Sequence, residues 1–131
     1  MAELKFYKRS RTGWTPTSYT VNQTFQMWNV AVGDLVGPLF VRVRVAFDGT
    51  SPSFSIGDGD AVARFMTTTE AGAETTGLKI GRGVSGGSYI LDGKYLYTAA
   101  DTIDITFTAA TGSPTVGTID VWAYIAKVDP H

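Results

Sequence analysis

Between Leu39 and Phe47 the chain reads LFVRVRVAF. Val41, Val43, Val45 and Phe47 share one parity, and Arg42, Arg44 and Ala46 share the other. A period of two predicts a half-buried strand with branched side chains on a core and guanidinium groups on the opposite face. A second long strand is predicted near the C-terminus, from Gly117 to Val128, where Trp122 and Tyr124 fall on one face.

Shorter elements fill the space between. Ser18 to Val32 carries Tyr, Val, Thr, Phe and Trp, which favour strands. Phe25 and Met27 share one parity while Trp28 and Val30 share the other, as expected at a bulge or in a strand covered on both faces. Gly33-Asp34 and Gly37-Pro38 are expected to break the chain ahead of the central strand, and Asp48-Gly49-Thr50-Ser51-Pro52 to turn it afterwards. Phe54 and Ile56 alternate in a short strand. Ala61 to Thr69 fits a strand or one helical turn, and Glu70 to Thr76 reads as a loop.

Leu78 and Ile80 alternate again among glycines. Asp92-Gly93, between Tyr89-Ile90-Leu91 and Tyr95-Leu96-Tyr97, fits a two-residue hairpin. Ile103, Ile105 and Phe107 alternate with Asp104, Thr106 and Thr108, a strand with one wet face. About eight strands, turn signals between them and no convincing helix predict an all-β fold. The expected architecture is a two-sheet antiparallel β-sandwich, jelly-roll-like, over residues 17–131, preceded by a basic N-terminal arm over residues 1–16.

Composition narrows the function. A chain of 131 residues with 44% hydrophobic content can bury a core by itself, and with no cysteine it must do so without disulfides. No apolar run approaches the roughly 20 residues that span a bilayer, so no membrane partner is expected. The opening MAELKFYKRS has no apolar middle of a signal peptide, which predicts synthesis in the cytoplasm. The net charge of −1 conceals an asymmetry. Residues 1–12 hold Lys5, Lys8, Arg9 and Arg11 against Glu3, a balance of +3, and the remainder holds seven basic against eleven acidic residues, a balance of −4. Four cations without aromatic stacking platforms make a poor nucleic-acid site. The arm, with Trp14 at its end, is therefore read as a protein-contact segment, a neighbouring copy being one acidic surface it could meet.

Chemistry is scarce. Gly81-Arg82-Gly83-Val84-Ser85-Gly86 spells G-x-G-x-x-G, but no helix follows to offer an N-terminus to a pyrophosphate, so no cofactor is expected. Asp58 and Asp60, with Asp48 across the preceding turn, could offer carboxylates to Ca²⁺. An Asp-Gly-Asp sequence at a strand end equally serves a turn, so these remain weak candidates and no metal site is expected. The single histidine is His131, at the very end, and without a cysteine no nucleophile–base pair can be assembled. Acids for glycoside cleavage could be drawn from Asp58, Asp60, Asp101 and Asp104, but the last two border or line the wet face of a strand, where solvated acids are ordinary. No enzymatic activity is expected. Trp122 and Tyr124 could instead present a sugar-stacking platform, or serve with Arg42 and Arg44 as a subunit contact.

Four segments, Ala46-Phe47-Asp48-Gly49, Ser55-Ile56-Gly57-Asp58, Asp101 to Ile105 and Gly117 to Tyr124, together resemble small β-sandwich virion proteins of tailed bacteriophages. The resemblance covers about residues 39 to 126 and contains no catalytic signature. It implies a head-decoration (cementing), head-fibre or tail-associated structural protein, made in the host cytoplasm and built into the virion. Its implied partners are its own copies, a homotrimer first, and major capsid or tail proteins. A receptor- or carbohydrate-binding module is the alternative.

Overall fold

In a computed structural model the chain forms eight strands and one helical turn, with residues 3–15, 23–48, 51–81, 94–108 and 116–129 described. The strands are β1 (Glu3–Trp14), β2 (Gln23–Val30), β3 (Leu35–Val45), β4 (Ser53–Gly57), β5 (Gly77–Gly81), β6 (Tyr95–Leu96), β7 (Asp101–Thr108) and β8 (Thr118–Asp129). The helical turn, α1, is Thr68–Ala71. Every strand pairing among the described residues is antiparallel. Sheet A runs β1-β8-β3-β5, with β6 also on β3, and sheet B runs β2-β7-β4. This is the expected antiparallel β-sandwich.

The core lies between the two sheets. Leu39, Val41 and Val43 of β3 and Ile119, Val121, Ala123 and Ile125 of β8 are buried from sheet A. Phe54, Ile56, Ile103, Ile105 and Phe107 meet them from sheet B. Phe107 is the hub of the aromatic part, with ring centroids of Trp14, Phe25, Phe47 and Phe54 at 5.5–6.0 Å. Alternation therefore converts directly into a packed interior.

Within the basic segment Glu3–Trp14 form a strand, and β1 pairs with β8 from Glu3↔Asp129 to Trp14↔Ile119. Several expectations are corrected. Gly37-Pro38 does not end a segment before the central strand; it lies inside β3, where the register against β8 shifts between Val36 and Leu39. A proline is tolerated there because the ladder is already interrupted. Val45 is exposed rather than buried, since the register shifts again between Val43 and Val45 before Phe47 returns to the core. The parity switch in β2 is a bulge, with a register shift between Gln26 and Trp28. Asp104 and Thr106 are buried, not wet: β7 is the middle strand of sheet B, and Thr24 on β2 reaches Thr106 with a hydroxyl–hydroxyl bond of 3.0 Å.

α1 straddles the two segments read separately from sequence. Thr67 caps it, taking the Glu70 amide on its hydroxyl (3.1 Å), while the Glu70 carboxylate takes the Thr67 amide (2.9 Å). The turn lies against β4 and β5 and seals that side of the sandwich. Gly81 is required there, because a Cβ would stand 2.1 Å from the Phe65 carbonyl oxygen. The Asp92-Gly93 turn, the remainder of the glycine motif after Gly81, and His131 lie outside the described residues; Tyr95-Leu96 forms β6 on Leu35 and Val36.

Candidate interaction surfaces

The outer face of sheet A is built by the positions that alternate with its core residues. Phe40 stands directly opposite Trp122 on β8 and Ile80 on β5, and Arg42 stands opposite Asp120 and Leu78. Across β8, Trp122 faces Ser10 and Tyr124 faces Lys8 on β1. Phe40 and Trp122 stack nearly parallel, 5.7 Å apart at 16°, and Tyr124 meets Phe40 edge-on at 6.2 Å. Phe40 and Trp122 are half-buried by one another, whereas Tyr124, Ile80 and Leu78 are exposed. An apolar stripe thus crosses β5, β3 and β8 on a face that no other layer covers among the described residues, the kind of patch that marks a contact site.

A charged pair borders it. Arg44 Nε donates to Asp120 Oδ2 at 2.6 Å, and the Gly13 amide donates to Asp120 Oδ1 at 2.7 Å. Burial works against ionisation of Asp120, but the Gly13 amide and Arg44 outweigh it and hold the carboxyl below the ordinary range. Arg42, Arg44, Trp122 and Tyr124 therefore share one face.

A second polar cluster sits at the end of β4. Asp58 is buried, and its Oδ1 accepts the amides of Asp60 (3.0 Å) and Ala61 (2.9 Å), which folds the turn. Its Oδ2 accepts Arg64 Nε (2.5 Å) and the Tyr97 hydroxyl (2.7 Å). The Arg64 guanidinium lies 3.8 Å over the Tyr95 ring. Burial would lower the Arg64 pKa, yet the hydrogen bond and charge of Asp58 raise it; burial followed by the bond to Asp58 pushes the Tyr97 hydroxyl up as well. Asp101 joins this corner, accepting the amides of Gly59 (3.2 Å) and Thr102 (2.7 Å).

Oxygens of Asp58, Asp60 and Asp101 lie within 4.8 Å of one another. Asp58 nonetheless has four donors on its two oxygens, one of them a guanidinium, so a cation would compete with Arg64 for the same carboxylate. The chemistry of the donor set is that of a closed ion-pair network. Asp48 stands apart, clipped to Val116 by its carboxylate (3.0 Å). Asp104 is buried beside the corner; burial raises its pKa, the Thr102 hydroxyl opposes this, and the charges of Asp101 and Asp58 add to it.

β1 presents the remaining predicted contact residues. Trp14 turns inward onto Phe25 at 5.3 Å, whereas Lys8 and Arg9 are exposed on opposite faces of the strand. Arg11 is half-buried, its guanidinium 6.0 Å from the Trp14 ring. Lys5 pairs with Lys127 in the ladder.

No protein-family model matches the chain, and no curated relative does. Two solved structures share the fold. A chain in the cyanophage Pam1 capsid asymmetric unit aligns with a TM-score of 0.61 at 14% identity, covering 96% of this chain and 84% of that one. A chain in the acidic stable capsid structure of Helicobacter pylori bacteriophage KHP30 aligns with a TM-score of 0.54 at 11% identity, covering 100% of both. At these identities what is shared is the sandwich itself.

Proposed function

We propose that this chain is a non-enzymatic structural subunit of a bacteriophage virion, of the capsid-decoration or head- or tail-associated kind. It works by protein–protein contact and self-assembly, with a homotrimer as the first expectation. The observation that carries this reading is the likeness to chains in two phage capsid structures, over 96% and 100% of this chain. The stripe of Phe40, Trp122 and Tyr124, bordered by Arg42 and Arg44, supports it as a surface suited to the capsid or to another copy. Strand order supports a jelly-roll-like winding too, since the first strand lies beside the last and the second beside the next-to-last.

The deciding experiment is mass spectrometry of gradient-purified particles of the phage that encodes the chain. The protein should be present in copy number comparable to other capsid components. Its absence from intact particles, with presence in the soluble lysate, overturns the proposal.

A further inference from the structure

The two lateral sides of the sandwich differ in charge. One side is formed by β1 and β2, which the Trp14–Phe25 ring contact places together. The other is formed by β4 and β5 with α1 against both. On the first side, Tyr7 and Arg9 face the same way as buried Ile125 and Ala123 of β8, yet both are exposed. The exposure of Tyr7 and Arg9 leaves this inward flank open along the part of β1 that precedes Trp14. Lys8 is exposed on the outward flank, and no salt bridge among the described residues engages Lys8 or Arg9. On the opposite side, Asp60 in the turn after β4 and Glu74 between α1 and β5 are exposed acids without a salt bridge among the described residues. Lys79 on that side is turned onto the Thr75 hydroxyl at 2.6 Å.

We propose that the β4–β5 side of one copy, through Asp60 and Glu74, docks against the open β1 flank of the next copy, through Lys8 and Arg9. The inference rests on the reading of the chain as a self-assembling subunit and names the surface that assembles. Complementary charge selects this partner. Pairing β1 with β1 of a second copy would bring two clusters of Lys8, Arg9 and Arg11 together, and like charges close to one another across strands are destabilising. Joining unlike edges is a heterologous contact, which closes into a ring when the rotation between copies permits.

The full-length protein tests this by light scattering and analytical ultracentrifugation. Wild type should form a closed oligomer that weakens as salt rises. Lys8→Glu with Arg9→Glu should raise the dissociation constant about tenfold or more, and so should Asp60→Lys with Glu74→Lys, because each sets like charges together. Combining all four substitutions in one chain exchanges the signs of both edges and should restore the oligomer, which shows that the double variants fold. A monomeric wild type, a double variant that assembles like wild type, or a fourfold variant that stays dissociated overturns the inference. Mass spectrometry of particles separates the two claims. Wild type that assembles by these edges but is missing from virions sinks only the virion role, whereas virion-borne protein indifferent to the reversals sinks only the docking surface.

Discussion

Two Asp–Arg pairs of almost identical geometry share a buried carboxylate and differ in how far the arginine is solvated. Arg64 and Asp58 meet at 2.5 Å with side chains only 8% and 1% exposed, while Arg44 and Asp120 meet at 2.6 Å with the arginine 54% exposed. Distance therefore says little about what each contributes. The buried pair has lost its water, so each partner depends on the other and on the hydrogen bonds around it. The outer pair keeps a solvated guanidinium, and solvent screening reduces its worth to that of an ordinary surface bridge.

The difference between the two pairs is greatest at Arg64. Arg64→Ala leaves Asp58 buried with an unopposed charge and should cost about 3–5 kcal/mol, read by chemical denaturation. If it proves as mild as a surface change, the Asp58 network is not an organising feature of the β4 end. Tyr97→Phe removes one donor from the same carboxylate without emptying space and should cost about 1–3 kcal/mol. Arg44→Ala should cost at most about 1 kcal/mol, because the Arg44 guanidinium is largely solvated and Asp120 retains the Gly13 amide.

Acid sharpens the contrast through two other carboxyls. Asp120 is held below its ordinary value of 3.8, so its contribution is in place above that pH and is lost as pH falls through its lower folded value. Asp104 is raised above 3.8, so its ionised form costs stability once pH climbs through the raised value, and that cost is relieved on acidification. Asp104→Asn keeps an oxygen for the Thr102 hydroxyl and should raise the melting temperature at neutral pH, with the advantage shrinking toward pH 4. A melting profile from pH 3 to 7 checks both signs. The smallest effect expected is with millimolar Ca²⁺ or a chelator, neither of which should move the melting temperature while Arg64 occupies Asp58.

The sandwich was legible because its core strands alternate cleanly: the runs through Val41–Val43, Ile103–Phe107 and Ile119–Ile125 state which side is buried. The bulge in β2 was legible for the same reason, as a change of parity. β1 was not, because its inward-facing Tyr7 and Arg9 are exposed where a covered strand would show branched apolar residues. Asp104 was misread because alternation reports the face of a strand but not its place within a sheet. The Thr67–Glu70 capping box was available as a T-x-x-E signal, yet a helix of one turn has too few apolar positions to show a period. Arg64, Tyr95 and Tyr97 gave no local sign of joining Asp58, since the contacts span as many as 39 positions in the chain.

β8 lies between β1 and β3, pairing with the first strand from Glu3↔Asp129 onward. On the ribosome, β1 has no partner in this sheet, and β3 only β5 and β6 on its other edge, until that late segment has emerged. The larger layer must then assemble through contacts of very long sequence separation, which are slow to close. Loss of β8 would strand two unpaired edges at once, so nascent chains released early should clump rather than accumulate as soluble fragments.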